Sequence, residues 1–221
     1  MGDMTAGSAW PTSTTGATPP DRRTRARERR HNEVYEAAVA LITEKGFENT
    51  TMDDIAERAD IARATVFNHF ARKTAILDEW SARRRQTAIE AVNADHLEHS
   101  SVRAILHRYV IELAEISNRT RAETVALMGA AVHTTNVLGH PALAGALGSM
   151  LEQARHDGRL APGVDLQLGG LLLASGYFAI LSAWIGEEPA PFDLRTRLVS
   201  MVDIVLDGIL AGSRQGPGAD G

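Results

Sequence analysis

Residues 51–70 read TMDDIAERADIARATVFNHF. Thr51 is a good helix N-cap, and Asp53 and Asp54 follow where the positive end of a helix favours acid. The spacing predicts one short helix over Thr51 to Ala59 and a second over Arg63 to Phe70, with Asp60-Ile61-Ala62 as a tight connector. Two short helices joined in this way form a helix-turn-helix unit. Ile55, Ala59, Ile61, Val66 and Phe70 can meet in one small core, with Ala56 small where the helices cross. The second helix is then left with Arg63, Ala64, Thr65, Asn68 and His69 on its outer side. Such groups bond to base edges and phosphates when a helix of this kind lies in a major groove.

Upstream, Val34, Ala37, Ala38, Leu41 and Ile42 recur at helical spacing, and Gly46 stops that helix after Lys45. Downstream, Val102, Ile105, Leu106, Tyr109, Val110, Leu113 and Ile116 form another apolar stripe. Leu194, Leu198, Met201, Val202, Val205 and Ile209 form a last one. Pro141, Ala161-Pro162-Gly163 and Glu188-Pro189-Ala190-Pro191 punctuate between helices. No alternating strand pattern occurs. The expected fold class is therefore all-α: an N-terminal three-helix helix-turn-helix DNA-binding domain, followed by a larger helical domain. The expected boundaries are a disordered leader with a basic arm over 1–24, the helix-turn-helix domain over 25–72, the helical body over 73–211 and a disordered tail over 212–221. Residues 1–20 carry no apolar signal core.

The chain has 221 residues, of which 44% are hydrophobic, enough for a core without disulfides or metals. Cysteine is absent, which excludes a disulfide scaffold, a thiolate metal site and a cysteine nucleophile, and fits a cytoplasmic location. Net charge is −5, but it is unevenly placed. Residues 21–30 carry six Arg against Asp21 and Glu28, whereas residues 86–221 carry 9 Arg and no Lys against 15 acids. A basic stretch on an acidic body implies a local polyanion contact. Arg22, Arg23 and Arg25 read equally as a flexible arm entering a minor groove and as a disordered basic leader. Arg83, Arg84 and Arg85 read as solvated or paired with nearby acids.

Several motifs keep a fixed order and spacing: Ala37-Ala38, Gly46-Phe47, Thr50-Thr51, Ile55-Ala56, Thr65-Val66-Phe67-Asn68-His69-Phe70 and Lys73. In these, residues 29–77 resemble the DNA-binding domain of the tetracycline-repressor (TetR) family of transcriptional regulators. Two positions depart from the family pattern: Asp60 stands where Gly is usual in the turn, and Ala62 where Ser often starts the recognition helix. The resemblance implies DNA contacts from Thr50, Thr51, Arg63, Ala64, Thr65, Phe67, Asn68, His69 and Lys73. Thr51 would cap its helix and bring backbone N–H groups to phosphate. Thr65, His69 and Lys73 would meet the DNA backbone, and Arg63, Ala64 and Asn68 the bases. Phe67 stands where the family often has a phosphate-touching Tyr, although packing explains it as well.

For the body, the resemblance implies a homodimer on double-stranded, palindromic operator DNA, most simply a repressor, and a small-molecule effector. The family buries its last two long helices in a four-helix dimer interface. Leu166–Gly186 carries no charge and is long enough to span a bilayer, yet it lacks Lys or Arg anchors and reads as buried on every side, with no membrane role. Gly170, Ala174 and Gly176 would permit close helix approach. Leu173, Tyr177, Ile180 and Trp184 would supply interface bulk, with Leu198, Met201, Val205 and Ile209 from the last helix. Periodicity alone fits a monomeric core equally well. Tyr109, Met128, His133, Asn136, Tyr177 and Phe178 are candidate pocket residues for a largely apolar or aromatic effector, each with packing as its alternative. His96 and His99 make a weak metal pair with no further ligands at a telling spacing, so no metal or cofactor is expected. No nucleophile–base constellation is legible, and the chain reads as a non-enzyme. An activator on the same fold, an all-helical enzyme and an interaction protein that does not use its helix-turn-helix remain as alternatives.

Overall fold

The computed structural model describes residues 21–97, 100–134, 141–156, 160, 163 and 165–211, and among them every regular element is an α-helix. These are α1 (Arg22–Lys45), α2 (Met52–Arg58), α3 (Arg63–His69), α4 (Thr74–Ala94), α5 (Val102–Arg119), α6 (Arg121–Thr134), α7 (Pro141–His156), α8 (Leu166–Ile185) and α9 (Leu194–Ala211). Helices α1 to α3 form a head, and α5 to α9 form a body. Helix α4 leaves the recognition helix and packs on α5 and α6. One cluster of buried side chains runs from Val34 through Val66 and Trp80 to Leu206, so no apolar break separates head from body at residue 72.

Local sequence explains the helix ends. Gly46 closes α1 at φ +86°, where a side chain would be strained, and its N–H donates to the Ile42 carbonyl. Thr51 caps α2 in a reciprocal capping box with Asp54. The turn residue Asp60 stands at φ +51°, a left-handed conformation that Asp tolerates better than most residues. Ala62 offers no side-chain cap to α3.

One expectation for the N-terminus is corrected. Arg22, Arg23 and Arg25 belong to no flexible arm: Asp21 accepts from the Thr24 N–H and α1 starts at Arg22. Arginine is a good helix former, and a capped start lets the helix run outward from its buried turns. Residues 1–20 and 212–221 lie outside the described residues, as does His99.

In the body, α8 packs against α7, α9 and α6. The α7 crossing is close because Gly170 has no side chain: a Cβ there would lie 2.6 Å from the Ala144 carbonyl oxygen. That contact fixes the rotation of α8. Leu173, Tyr177 and Trp184 turn into the chain's own core, as does Leu198 of α9. Their expected place in an interface between subunits is therefore corrected. A helix that is apolar all round carries no periodic signal of which side faces inward. Ile180, Met201 and Val205 are half-buried along an open groove between α8 and α9, and only the backbone of Ile209 is described. Leu168, Leu171, Leu172 and Ile204 are exposed, Leu172 at 52% and Ile204 at 74%.

Candidate functional site

Helix α3 is seated by Val66 and Phe70, which are buried against the head. This seating turns Arg63, Ala64, Phe67 and Asn68 outward and leaves Thr65 and His69 half-buried. The Arg63 guanidinium lies 3.0 Å from Asp53 and 5.5 Å from the Phe67 ring, so its side chain is held along the helix surface. His69 neighbours His31 of α1, whose ring stacks on Phe70 at 4.6 Å. Burial lowers the His69 pKa, and the positive fields of His31, Arg27 and Arg30 lower it further. An imidazole in that state is neutral at pH 7 and meets phosphate as a single N–H donor.

Arg27 and Arg30 join the site because α1 stays helical. Arg27 lines a shallow surface groove with His31, Asn68 and His69. Sequence reading placed Arg22, Arg23 and Arg25 there instead. The missed signal was helical continuity: once the helix starts at Asp21, residues 23, 27, 30 and 31 share one face. A helix about 10–12 Å across does not enter a minor groove roughly 6 Å wide, so the minor-groove reading of this segment is withdrawn.

Two expected contact residues are occupied within the protein. Thr50 is fully buried, and its hydroxyl donates to the Gly46 carbonyl at 2.8 Å. Lys73 Nζ donates to the Thr50 and Phe47 carbonyls and lies over the Phe47 ring. Lys73 thus ties the start of α4 to the loop before α2, with one proton left for an outside anion. Thr51 remains exposed, but its N–H and hydroxyl are both committed to Asp54.

The Asp54 carboxyl is held down at about 2, first by Lys45, 2.8 Å away, and then by its hydrogen bonds with Thr51. A carboxyl depressed in the folded state adds stability above its ordinary 3.8, and that stability is lost as pH falls towards about 2. Removing the largest cause with Lys45→Met should therefore raise the Asp54 pKa and move acid melting of the head to higher pH. NMR titration of the Asp54 carboxyl checks this, and an unmoved titration contradicts it.

The body holds a small cavity between α4, α5, α6, α7 and α8, with a volume of about 30 Å³. Met128, Tyr177 and Phe178, three of the candidate pocket residues, stand on its wall. Tyr109 lines an adjoining tight void that shares Tyr177 and Leu113. Asn136 lies outside the described residues, and only the backbone of His133 is described. Trp80, Arg84 and Arg85 also line the cavity and were not among the candidates. Arg84 is neither solvated nor acid-paired, contrary to the sequence reading. It is 6% exposed and donates to Ser117 at 2.6 Å and Thr120 at 3.2 Å. Its inward position was legible at helical spacing, because Leu77, Trp80, Arg84 and Ala88 form one stripe of α4. Arg83, by contrast, pairs with Glu79 and donates to Asn32, which fastens α4 to α1.

Among the described residues no group of three His, Asp or Glu side chains gathers to hold a metal ion.

A family model described as "Bacterial regulatory proteins, tetR family" matches residues 34–80, the span from mid-α1 to Trp80. The probable acrEF/envCD operon repressor of Escherichia coli (strain K12) is 24% identical over 190 residues, covering 79% of this chain and 84% of that protein. A solved structure of Thermus thermophilus FadR, a TetR-family transcriptional repressor in complex with lauroyl-CoA, has a TM-score of 0.62 and 24% identity. It covers 86% of this chain and 100% of that one. SmeT, the repressor of the Stenotrophomonas maltophilia multidrug efflux pump SmeDEF, gives a TM-score of 0.63 at 20% identity over 86% of this chain and 94% of that one. At these identities the two structures bear on the fold alone. The match over 34–80 coincides with the head and its outward α3. Residues 34–80 carry a DNA-binding domain of the tetR family of bacterial regulatory proteins, and over most of its length the chain is similar to a probable operon repressor.

Proposed function

We propose that the protein is a homodimeric repressor that leaves a palindromic operator when a small, largely apolar or aromatic effector fills the body cavity. The observation that carries this reading is α3: a recognition helix with a buried seat and an outer face of Arg63, Ala64, Phe67 and Asn68. Arg63 reads guanine and Asn68 adenine in the major groove. Thr65, His69, Arg27 and Arg30 meet the flanking phosphates, together with the remaining proton of Lys73 and the outward Arg22, Arg23 and Arg25 of α1. The E. coli relative's description as an operon repressor supports repression over activation. A bacterial regulator that acts on DNA works in the cytoplasm, and the similarity to bacterial regulatory proteins supports that location.

A dimer is supported by the exposed apolar face of Leu168, Leu171, Leu172 and Ile204, beside the α8–α9 groove with Ile180, Met201 and Val205. A patch of this kind on a soluble protein marks an interaction site, and a second copy of the same face is self-complementary about a two-fold axis. Two heads so joined address half-sites about 34–36 Å apart. The same cover accounts for α8, whose composition alone would let it cross a membrane.

Coupling runs through α4. Its first residues are tied to the head through Lys73, and Arg83 fastens it to α1. Leu77, Trp80 and Arg84 on the same helix line the cavity. An effector that shifts α4 therefore moves the head, and operator and effector oppose each other by linkage.

Selection from random duplex DNA with the purified protein tests the reading. An inverted repeat should be enriched. Arg63→Ala or Asn68→Ala should each weaken binding to it by about 1–3 kcal/mol, roughly 5- to 150-fold, and relax preference at one position of each half-site. No enrichment by a folded protein would refute sequence reading by α3.

A further inference from the structure

We infer that the effector is a hydrophobic monoanion, an aryl or alkyl body ending in a carboxylate, whose charge is met by the Arg84 guanidinium. The inference rests on the reading of the body cavity as the effector site.

Arg84 is the unusual member of the cavity wall. Its guanidinium is buried and stays charged, as arginine does in proteins. A buried cation is costly unless an anion faces it. Among the described residues no carboxylate lies within ion-pair distance of Arg84. Glu123 is the acid whose field reaches it, but its Oε1 accepts the Trp80 indole N–H at 2.5 Å and it makes no ion pair with Arg84.

The partners Arg84 does have are neutral. Nη2 donates to the Ser117 hydroxyl and Nη1 to the Thr120 hydroxyl. Those hydroxyls spend their own protons on the Leu113 and Ile116 carbonyls, at 2.7 and 2.8 Å, so they face the cation only with lone pairs. The Trp80 ring lies 4.4 Å from the guanidinium carbon. The Nε–H is buried and, among the described residues, has no hydrogen-bond partner. The side chain is therefore oriented by hydroxyls and a ring, while one donor is unpaired and, among the described residues, no anion touches the charge, which only the field of Glu123 offsets.

The rest of the wall states what else the ligand must be. Trp80, Leu113, Met128, Leu143, Tyr177 and Phe178 are apolar or aromatic surfaces. Arg85 lines the same cavity and adds a second positive charge. Asp78, the one acid on the wall, is exposed and lies 3.5 Å from Arg72. A neutral apolar ligand would satisfy these walls and leave Arg84 as costly as before. An anion with an apolar body satisfies both. The buried Tyr109 hydroxyl, which also has no partner, lines the adjoining void that shares Tyr177. A longer alkyl body would have to open that void, whose volume is about 10 Å³, whereas a flat aryl body does not need it.

Calorimetric titration of the full chain tests this with 2-naphthoate and decanoate. Each is compared with its neutral alcohol, 2-naphthalenemethanol or 1-decanol. At least one carboxylate should bind about tenfold or more tighter than its alcohol, the worth of a hydrogen bond to a charged group. The arm that does so distinguishes an aryl from an alkyl body. In Arg84→Met the ratio should fall to near one, and in Arg84→Lys it should survive in part. Alcohols that bind as well as the carboxylates would overturn the anion inference while leaving the cavity as an effector site. A preference unchanged in Arg84→Met would overturn the assignment to Arg84. Failure of all four probes to bind folded protein would overturn the inference and the cavity reading together. Should Arg84→Met lose its helical circular dichroism, the wild-type ratio and its decline in Arg84→Lys decide the matter.

Discussion

Leu172→Glu combined with Ile204→Glu is expected to yield a folded monomer that no longer holds its operator. Both side chains are exposed in the single chain, so carboxylates there meet water and cost the fold little. In a dimer joined through the outer face of α8 and α9, the same carboxylates would be buried in an apolar interface without partners. Sedimentation at micromolar concentration should show a monomer with the wild-type circular dichroism spectrum. Operator affinity should fall by about 10²–10⁴-fold, because two half-sites are no longer bound through one linked pair of heads. A dimer that survives the double substitution would place the interface elsewhere. Leu173→Ala makes a useful contrast. It removes a side chain packed inside the chain, so it should cost stability, about 2–5 kcal/mol, without acting on association directly.

Gly170→Ala should destabilise the body far more than its single methyl group suggests. The new Cβ would stand 2.6 Å from both the Ala144 carbonyl oxygen and the Gly148 amide nitrogen, which are backbone atoms and cannot swing aside. Helices α7 and α8 would have to separate, at a cost of about 1–3 kcal/mol or more. For a chain of this size that corresponds to a fall in Tm of roughly 2–12 °C by calorimetry. Gly145→Ala, on α7, is the control. Its Cβ would meet nothing within 4 Å, and the gain in helix propensity should leave Tm unchanged or higher. Equal melting of the two variants would show that the α7–α8 approach is looser than described here.

The head was legible from its residues because its signals are local. Thr51 as a cap, Gly46 as a stop, Asp60 in a left-handed turn and Val66 and Phe70 as the seat of α3 each follow from the chemistry of one residue and its near neighbours. The outward direction of Arg63, Ala64 and Asn68 follows from that seat. What the residues of the head left open was also local, and it concerned competition. Thr50 and Lys73 carry groups that suit phosphate, and the folded chain uses them first, on the Gly46, Phe47 and Thr50 carbonyls. Composition shows that a donor exists and is silent on which acceptor takes it.

The body was legible only as helices. Its apolar stripes in α5 and α9 were readable by period, and three of the residues named as pocket candidates, Met128, Tyr177 and Phe178, stand on the wall of the body cavity. The rotation of α8 was not readable, because apolar residues on every side leave no moment to follow. Contact between Gly170 and the α7 backbone decides it, and that contact joins residues remote in sequence. Arg84 differs: its spacing with Leu77, Trp80 and Ala88 pointed inward, but which partners it would meet there was not readable. Its neighbours Arg83 and Arg85 look alike in a list of residues, yet α4 turns Arg83 to the head and Arg84 into the core. By itself, then, the sequence determined the helix-turn-helix, its caps and its reading face, which depend on interactions within a few residues. Only the tertiary structure decided which side of α8 is left for a partner and which arginine lies buried without a counter-ion, because burial is a property of packed helices and not of any one of them.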